Sequence, residues 1–525
     1  HPQLRQGLYF GAHDPVARFK VVHLQMDPGI AGGRAEGNWP RGEELADLPA
    51  GVRISFVYMP YQPPRQDFQA SPAVLRFHDG DWRAAAGIYG AHARPPAAIT
   101  GAAGDWMAGC QAFHDCPGMP FHQLPEYARQ AAAAGVRALL LTDWKTGGHA
   151  DGVPRFEPDP RFGSRDDLAR AIRECHELGV RVVARVNLST AAQRNDWYRD
   201  ELHRYACTDR WGIPYTTVVG SSPSPLTGGF GQGERRTWLN PGHPGMRRLL
   251  AGQARELAGL GVDGLYLQEF FGRALDFNAS AGRTPDRAVW EGGLECIADI
   301  LKAGRSLRPD FSVCTDTVWD RLTGIAPTCL AEVSESCALP AAFPSWKPAV
   351  MVVGQDGYSA ANEALRSGAR LRIAPENGQP MGGPEMAEVA GYCRAVLAVR
   401  ECLRATLLEG RPLETEALRI EGALKTGVFR EEAGGRRTAV LVNRGFRPAE
   451  VRLPGFAEPG PAEVVVWQPG EGARRATLPL TLAVPGRQAV VVTEEDALER
   501  LAGVPRWQAA GPAGGTVFDL ASADD

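Results

Sequence analysis

Gly261-Val262-Asp263-Gly264-Leu265-Tyr266-Leu267-Gln268-Glu269 is the stretch on which the fold turns. The apolar run Val262 to Leu267 stops abruptly at an amide and a carboxylate. A helical stretch from about Gly245 to Leu260 precedes it. Another, near Trp290 to Arg305, follows and leads to the apolar run Phe311 to Thr315, which stops at Asp316. Short strands alternating with helical stretches in this rhythm predict βα units on a parallel sheet.

The same rhythm extends in both directions. Upstream, strands are predicted at Trp106 to Phe113, Val136 to Thr142 (ending in Asp143-Trp144) and Val180 to Val186 (ending in Asn187), with helices at Leu124 to Ala134 and Arg165 to Leu178. Downstream come strands at Thr328 to Val333, Val350 to Val353 and Ala369 to Ala374, the last followed by Glu376-Asn377, and a closing helix from Pro384 to about Leu407. Eight strands in roughly 270 residues predict a (β/α)8 barrel of ordinary size. Between the third and fourth strands, residues 190–240 read as a long irregular insertion, of a length that is uncommon and often functional.

The flanks read differently. Leu8 to Phe10, Phe19 to Leu24 and Val52 to Tyr58 are short β-prone runs, and Asp81 is placed to cap a helix over Arg83 to Tyr89. Thr438 to Asn443, Ala462 to Trp467 and Ala489 to Thr493 predict an antiparallel β-sandwich after the barrel. The expected organisation is a β-rich region with a linker helix over 1–100, an α/β barrel over 101–408, and a β-sandwich and tail over 409–525. The chain opens in what reads as the middle of a β-domain, so sequence is expected to precede it.

Composition bounds the function. The 525 residues are 44% hydrophobic and 22% charged, with net charge −4, pI near 6.3 and mean hydropathy −0.24. That balance gives no reason to expect a nucleic-acid partner. No apolar run reaches the roughly 18 residues needed to cross a membrane. Ten cysteines without a CxxC pair read as buried thiols in a reducing, cytoplasmic compartment. Their spacing, with that of the histidines, matches no usual zinc pattern, and no cofactor or metal is expected.

Barrel enzymes carry their chemistry at the carboxyl ends of the strands. Those ends hold Asp143, Asn187, Gln268, Glu269, Asp316, Glu332, Glu335, Asp356 and Glu376, with Trp144, His149, Phe270, Phe271, Trp319 and Trp346 nearby. Any one carboxylate there can simply cap a helix or pair with an arginine, and any one aromatic can be loop packing. Together they suit a carbohydrate: one carboxylic acid protonates the leaving oxygen, a second carboxylate attacks or activates water, and aromatic faces pack on sugar rings.

Several motifs, in order, strengthen this expectation. Gly7-Leu8-Tyr9-Phe10-Gly11-Ala12-His13-Asp14-Pro15, Gly80-Asp81-Trp82 with Ala85 and Tyr89, Asn240-Pro241-Gly242-His243-Pro244 and Gly261 to Leu267 resemble segments of TIM-barrel glycoside-hydrolase-like proteins. That group is similar to the endo-α-N-acetylgalactosaminidases and, more remotely, to the α-galactosidases. The resemblance implies a retaining mechanism with an aspartate nucleophile closing the fourth strand, where this chain has Gln268, and an acid/base on the fifth, at Asp316. A neutral amide cannot be a glycosyl-enzyme nucleophile. Glu269, with Glu332 in reserve, then becomes the candidate nucleophile or base. Asp143, Trp144, His149, Asn187 and Glu376 are expected to line the sugar pocket. The expected activity is cleavage of an α-glycosidic bond. A non-catalytic carbohydrate-binding relative and a metal-dependent sugar lyase or isomerase are the alternatives.

Overall fold

In the computed structural model, residues 6–16, 19–28, 50–58, 61, 65–93, 105–148, 155–219, 234–269, 275–332, 338–344, 346–352, 354, 357–375 and 378–507 are described. Eight parallel strands close into a barrel: β1 (Ala112–Cys116), β2 (Ala138–Leu141), β3 (Arg181–Asn187), β4 (Gly264–Gln268), β5 (Ser312–Thr315), β6 (Thr328–Glu332), β7 (Lys347–Val352) and β8 (Arg370–Ile373). Each pairs with its neighbour in sequence, and β8 closes on β1 with Arg372 opposite Phe113. The barrel interior is filled by Phe113, Leu140, Val183, Tyr266, Cys314 and Leu330 among others, and a second apolar layer lies between strands and helices.

The structure corrects the first strand. Trp106–Gly109 is a short helix, because Asp105 accepts the Met107 N–H at 2.9 Å and caps it. Met107 then packs, fully buried, in the interior cluster, and the strand starts only at Ala112. The insertion is also more regular than expected: Thr190–Ala192, Glu234–Trp238 and Thr216–Val219 form a three-stranded antiparallel sheet.

The motif residues hold the frame together. Asp263, fully buried, accepts from His176 Nε2 (2.8 Å), Arg181 Nη1 (3.0 Å), Arg308 Nη2 (2.6 Å) and the Val182 N–H (2.7 Å), tying β3 to β4. In Asn240 to Pro244, Asn240 accepts the Gly242 N–H and donates to Asp276, while His243 caps the helix Pro244–Leu260. A Cβ on Gly242 would lie 2.5 Å from the Gly292 Cα, so only glycine permits this approach to the helix Trp290–Arg305.

Before the barrel, Gln6–Ala12 pairs with Ala73–Asp79, and Lys20–Pro28 with Ala50–Tyr58, both antiparallel. Asp81 caps the helix Trp82–His92 as the sequence predicts. This region braces the loop after β5: Tyr89 donates to Asp320 at 2.7 Å and Arg321 donates to the Asp14 carbonyl.

After the barrel, a six-stranded and a three-stranded antiparallel sheet form the C-terminal sandwich. Its inner strands are apolar on both faces for a physical reason. In Arg437–Val442, Ala439 and Leu441 face the three-stranded sheet while Val440 and Val442 join the barrel-side core, and Glu463–Gln468 and Ala489–Thr493 repeat the pattern. The sandwich therefore packs on the barrel as well as on itself. At that junction the Tyr392 hydroxyl accepts the Ala489 N–H at 3.0 Å.

Candidate active site

Strand alternation decides which residues enter the barrel mouth. Phe113, Val183, Tyr266 and Cys314 lie in the interior cluster. Asp115, Arg185, Gln268 and Asp316 follow at the same parity, one layer nearer the carboxyl ends, and Arg372, opposite Phe113 on β8, shares that parity.

Two arginines organise this layer. Arg372 grips Asp115 through Nε (3.1 Å to each oxygen) and Nη2 (2.7 Å), and its guanidinium sits 5.5 Å from the centre of the Tyr266 ring. Arg185 donates from Nε to the Gln268 side-chain oxygen. Burial pushes the Arg185 pKa down and the Tyr266 phenol up. Gln268 is therefore a held residue: its carbonyl oxygen faces a guanidinium, where an ionised carboxylate would also be favoured.

Asp316 and Glu269 meet beside it. The Glu269 backbone N–H donates to Asp316 Oδ2 at 2.9 Å, and Thr317 donates to Oδ1 at 3.2 Å. Burial raises the Asp316 pKa above the ordinary carboxylate value and the Glu269 charge adds to the rise, against the hydrogen bonds that lower it. Glu269 has a positive φ of 56°, an uncommon conformation for a residue with a side chain. The turn lets it leave the strand instead of following the alternation, and Thr190 from the insertion sheet donates to Glu269 Oε2 at 3.0 Å.

The other expected pocket residues distribute unevenly. Asn187 is fully buried; its amide donates to Thr190 Oγ1 at 2.6 Å and its oxygen accepts the Ser189 and Thr190 N–H groups. Its side chain is thus held by Thr190, which in turn bonds Glu269, and it is not exposed at the mouth. Trp144 is corrected too. Its ring is buried in the main core, with its indole N–H on the Arg185 carbonyl at 3.0 Å, so it offers no face to a sugar. Trp346 is likewise buried, and Trp319 packs edge-on against Trp290. Asp143 is exposed at the mouth with φ 55°. His149, Phe270, Phe271, Glu335, Asp356 and Glu376 lie outside the described residues, as does the side chain of Glu332, the last residue of β6.

Sequence reading missed Asp115, Arg185, Tyr266 and Arg372. Their signal was available: Arg185 and Tyr266 stand two residues before Asn187 and Gln268, at the spacing that keeps one strand face. Among the described residues, no group of three His, Cys, Asp or Glu side chains could hold a metal ion, and no helix is long and apolar enough to cross a membrane.

No protein-family model matches the chain. Among solved structures, the α-amylase from H. orenii aligns with a TM-score of 0.52 at 14% identity, covering 74% of this chain and 99% of the amylase. The maltogenic α-amylase AmyB of Thermotoga neapolitana aligns at 0.51 and 12% identity, again covering 74% and 99%. The chain has the α-amylase fold. This is the (β/α)8 barrel with a C-terminal β-domain, and at such identities the likeness is one of fold. Among curated sequences, the 1,4-alpha-glucan branching enzyme GlgB 1 of Xanthomonas oryzae pv. oryzae is 27% identical over 145 residues, which make up 27% of this chain and 20% of that enzyme. The chain therefore spans about a fifth of the length of the curated relative it matches.

Proposed function

We propose that this protein cleaves an α-glycosidic bond at the barrel mouth, with Asp316 as general acid and Glu269 as base or nucleophile. The observation that carries the proposal is the contact between these two residues: Asp316 is buried, accepts the Glu269 backbone N–H and is raised in pKa by burial and by the Glu269 charge. A buried carboxyl group raised in pKa, with a second carboxylate close by, is the arrangement that acid/base chemistry at a glycosidic oxygen requires. Asp316 donates its proton to the leaving oxygen; Glu269 attacks the anomeric carbon or takes a proton from the attacking water. Arg185, Arg372 and Tyr266 shape the floor of the pocket, with Asp143 at its rim, and His149, Glu376 and Glu332 belong to the same strand-end set. An α-glucan is the first substrate class to try, since the fold neighbours are α-amylases and the curated relative acts on 1,4-α-glucan. The motif resemblance adds α-galactosides and α-N-acetylgalactosaminides.

One observation favours a second reading, a carbohydrate-binding protein without turnover: the fourth-strand residue is an amide held by Arg185. The test is release of reducing ends from maltoheptaose and of nitrophenol from α-glucoside, α-galactoside and α-N-acetylgalactosaminide. It is run on the protein and on D316N, E269Q, Gln268→Asp and Gln268→Glu. Turnover lost in D316N and E269Q supports the proposal. Sugar binding without turnover, with activity appearing only in Gln268→Asp, sinks it in favour of the second reading.

A further inference from the structure

At the end of the barrel opposite the mouth, a cavity of about 660 Å³ opens between the amino ends of β1 to β3 and the helix Ala387–Cys402. Its lining carries Arg137, Arg181, Arg394 and Arg404 against one carboxylate, Glu401. Arg181 is engaged by Asp263 and Asp310, and Arg404 by Glu401 at 2.6 Å. The side chains of Arg137 and Arg394 make no hydrogen bond or ion pair among the described residues and lie exposed at the cavity.

Two further observations point the same way. Gln111, also in the lining, donates its amide N–H to Glu401 at 2.7 Å, while its side-chain oxygen is buried without a partner. That oxygen wants a donor. Behind the wall, the buried Arg370 donates to the carbonyls of Cys110 and Ala108, and its Nε is buried and unpartnered. Arg400 is buried close by, and among the described residues no carboxylate is bonded to either arginine. Arg370 and Arg400 thus bring positive charge into the wall at the base of the barrel, where the low dielectric screens it weakly, with Asp105 the carboxylate that acts on Arg370.

We infer that this cavity binds a small phosphate monoester bearing hydroxyl groups, a sugar phosphate in chemical class. Arg137 and Arg394 take the phosphate, the Gln111 amide turns its now-buried oxygen towards the cavity to accept from a ligand hydroxyl, and Leu397 with Trp106 supplies an apolar wall. The site is independent of the carbohydrate mouth, from which the barrel's whole length separates it, and its ligand needs no covalent step.

The experiment is calorimetric titration of the full chain with glucose 6-phosphate, inorganic phosphate and glucose, repeated on R137A/R394A, on Q111L and on D316N. The two guanidinium groups are exposed and their side chains carry no bond among the described residues, so the double variant should keep its structure, which its melting temperature checks. Glucose 6-phosphate binding should be saturable, tighter than that of inorganic phosphate, unchanged in D316N and at least about tenfold weaker in R137A/R394A. Q111L should bring glucose 6-phosphate down towards inorganic phosphate. No saturable heat up to about 10 mM, beyond the range in which such weak sites bind, overturns the proposal. Binding that ignores the double variant, or that D316N abolishes, overturns it too, by placing the ligand elsewhere. Equal binding of inorganic phosphate and the sugar phosphate overturns the assignment of an organic ligand.

Discussion

Replacing Asp263 by alanine should be among the most damaging single changes in the barrel. The carboxylate is fully buried and accepts four hydrogen bonds, from His176, Arg181, Arg308 and the Val182 N–H. Burial alone would raise its pKa, but the bonds from His176 and Val182 and the nearby positive charges outweigh burial and hold it below the ordinary value. Removing one partner of a buried ion pair costs about 3–5 kcal/mol, and orphaning the Val182 N–H about 1–3 kcal/mol more. His176, Arg181 and Arg308 are each partly exposed, so water recovers part of this, and a total of about 3–5 kcal/mol is expected. At roughly 2–4 °C per kcal/mol for a domain of 150–250 residues, and less for a larger one, D263A should melt about 5–15 °C below the parent. D263N, which keeps an acceptor for Val182, should fall between. The measurement is tryptophan-fluorescence melting from pH 3 to 8. The sign of the pH dependence follows from the depressed pKa: the carboxylate's stabilisation is complete above its unfolded value near 3.9 and is lost as pH falls through the lower folded value. The gap between parent and D263A should therefore hold steady above about pH 5 and shrink below about pH 4. Variants that melt within about 1 °C of the parent at neutral pH would refute the reasoning.

Other outcomes follow from the same geometry. D316N should lose turnover by about 10²–10⁴-fold; in the parent, kcat/KM should fall on the alkaline side only as pH passes the burial-raised pKa of Asp316, above the ordinary carboxylate range, which a pH–rate profile reads directly. Lys347 is buried and pushed down to about 7, while its unfolded counterpart keeps its proton to about 10.4. Stability therefore rises with pH between these values, and K347M should be more stable at pH 7 by on the order of 2–4 kcal/mol and lose that rise, as urea midpoints at pH 7 and 9 would show. In Gly292→Ala the new Cβ would lie 2.6 Å from the Gly242 Cα; with backbone on the other side, the contact must open, and a loss of about 1–3 kcal/mol is expected in the same urea assay.

The order of strands and helices was legible because periodicity and length are local properties. The helix Trp290–Arg305 and the strand Ala489–Thr493 fall where the pattern puts them, and the other barrel strands lie within a few residues of their apolar runs. Trp106 misled, since an apolar run does not reveal that Asp105 will cap a helix turn at its start. Trp144 misled for a related reason: next to a strand-end aspartate it looked like a binding platform, whereas the turn at Asp143 points the indole back into the core.

The barrel and its flanking β-regions were legible in the sequence alone, because hydrophobic spacing along the chain states which residues must be buried. Tertiary structure decided which of those residues meet. Arg372 and Asp115, 257 residues apart, are joined only because β8 closes on β1. Glu269 meets Asp316, 47 residues further on, only because β4 and β5 lie side by side in the barrel. Such contacts depend on the register and closure of strands distant in the chain, quantities that no local pattern carries.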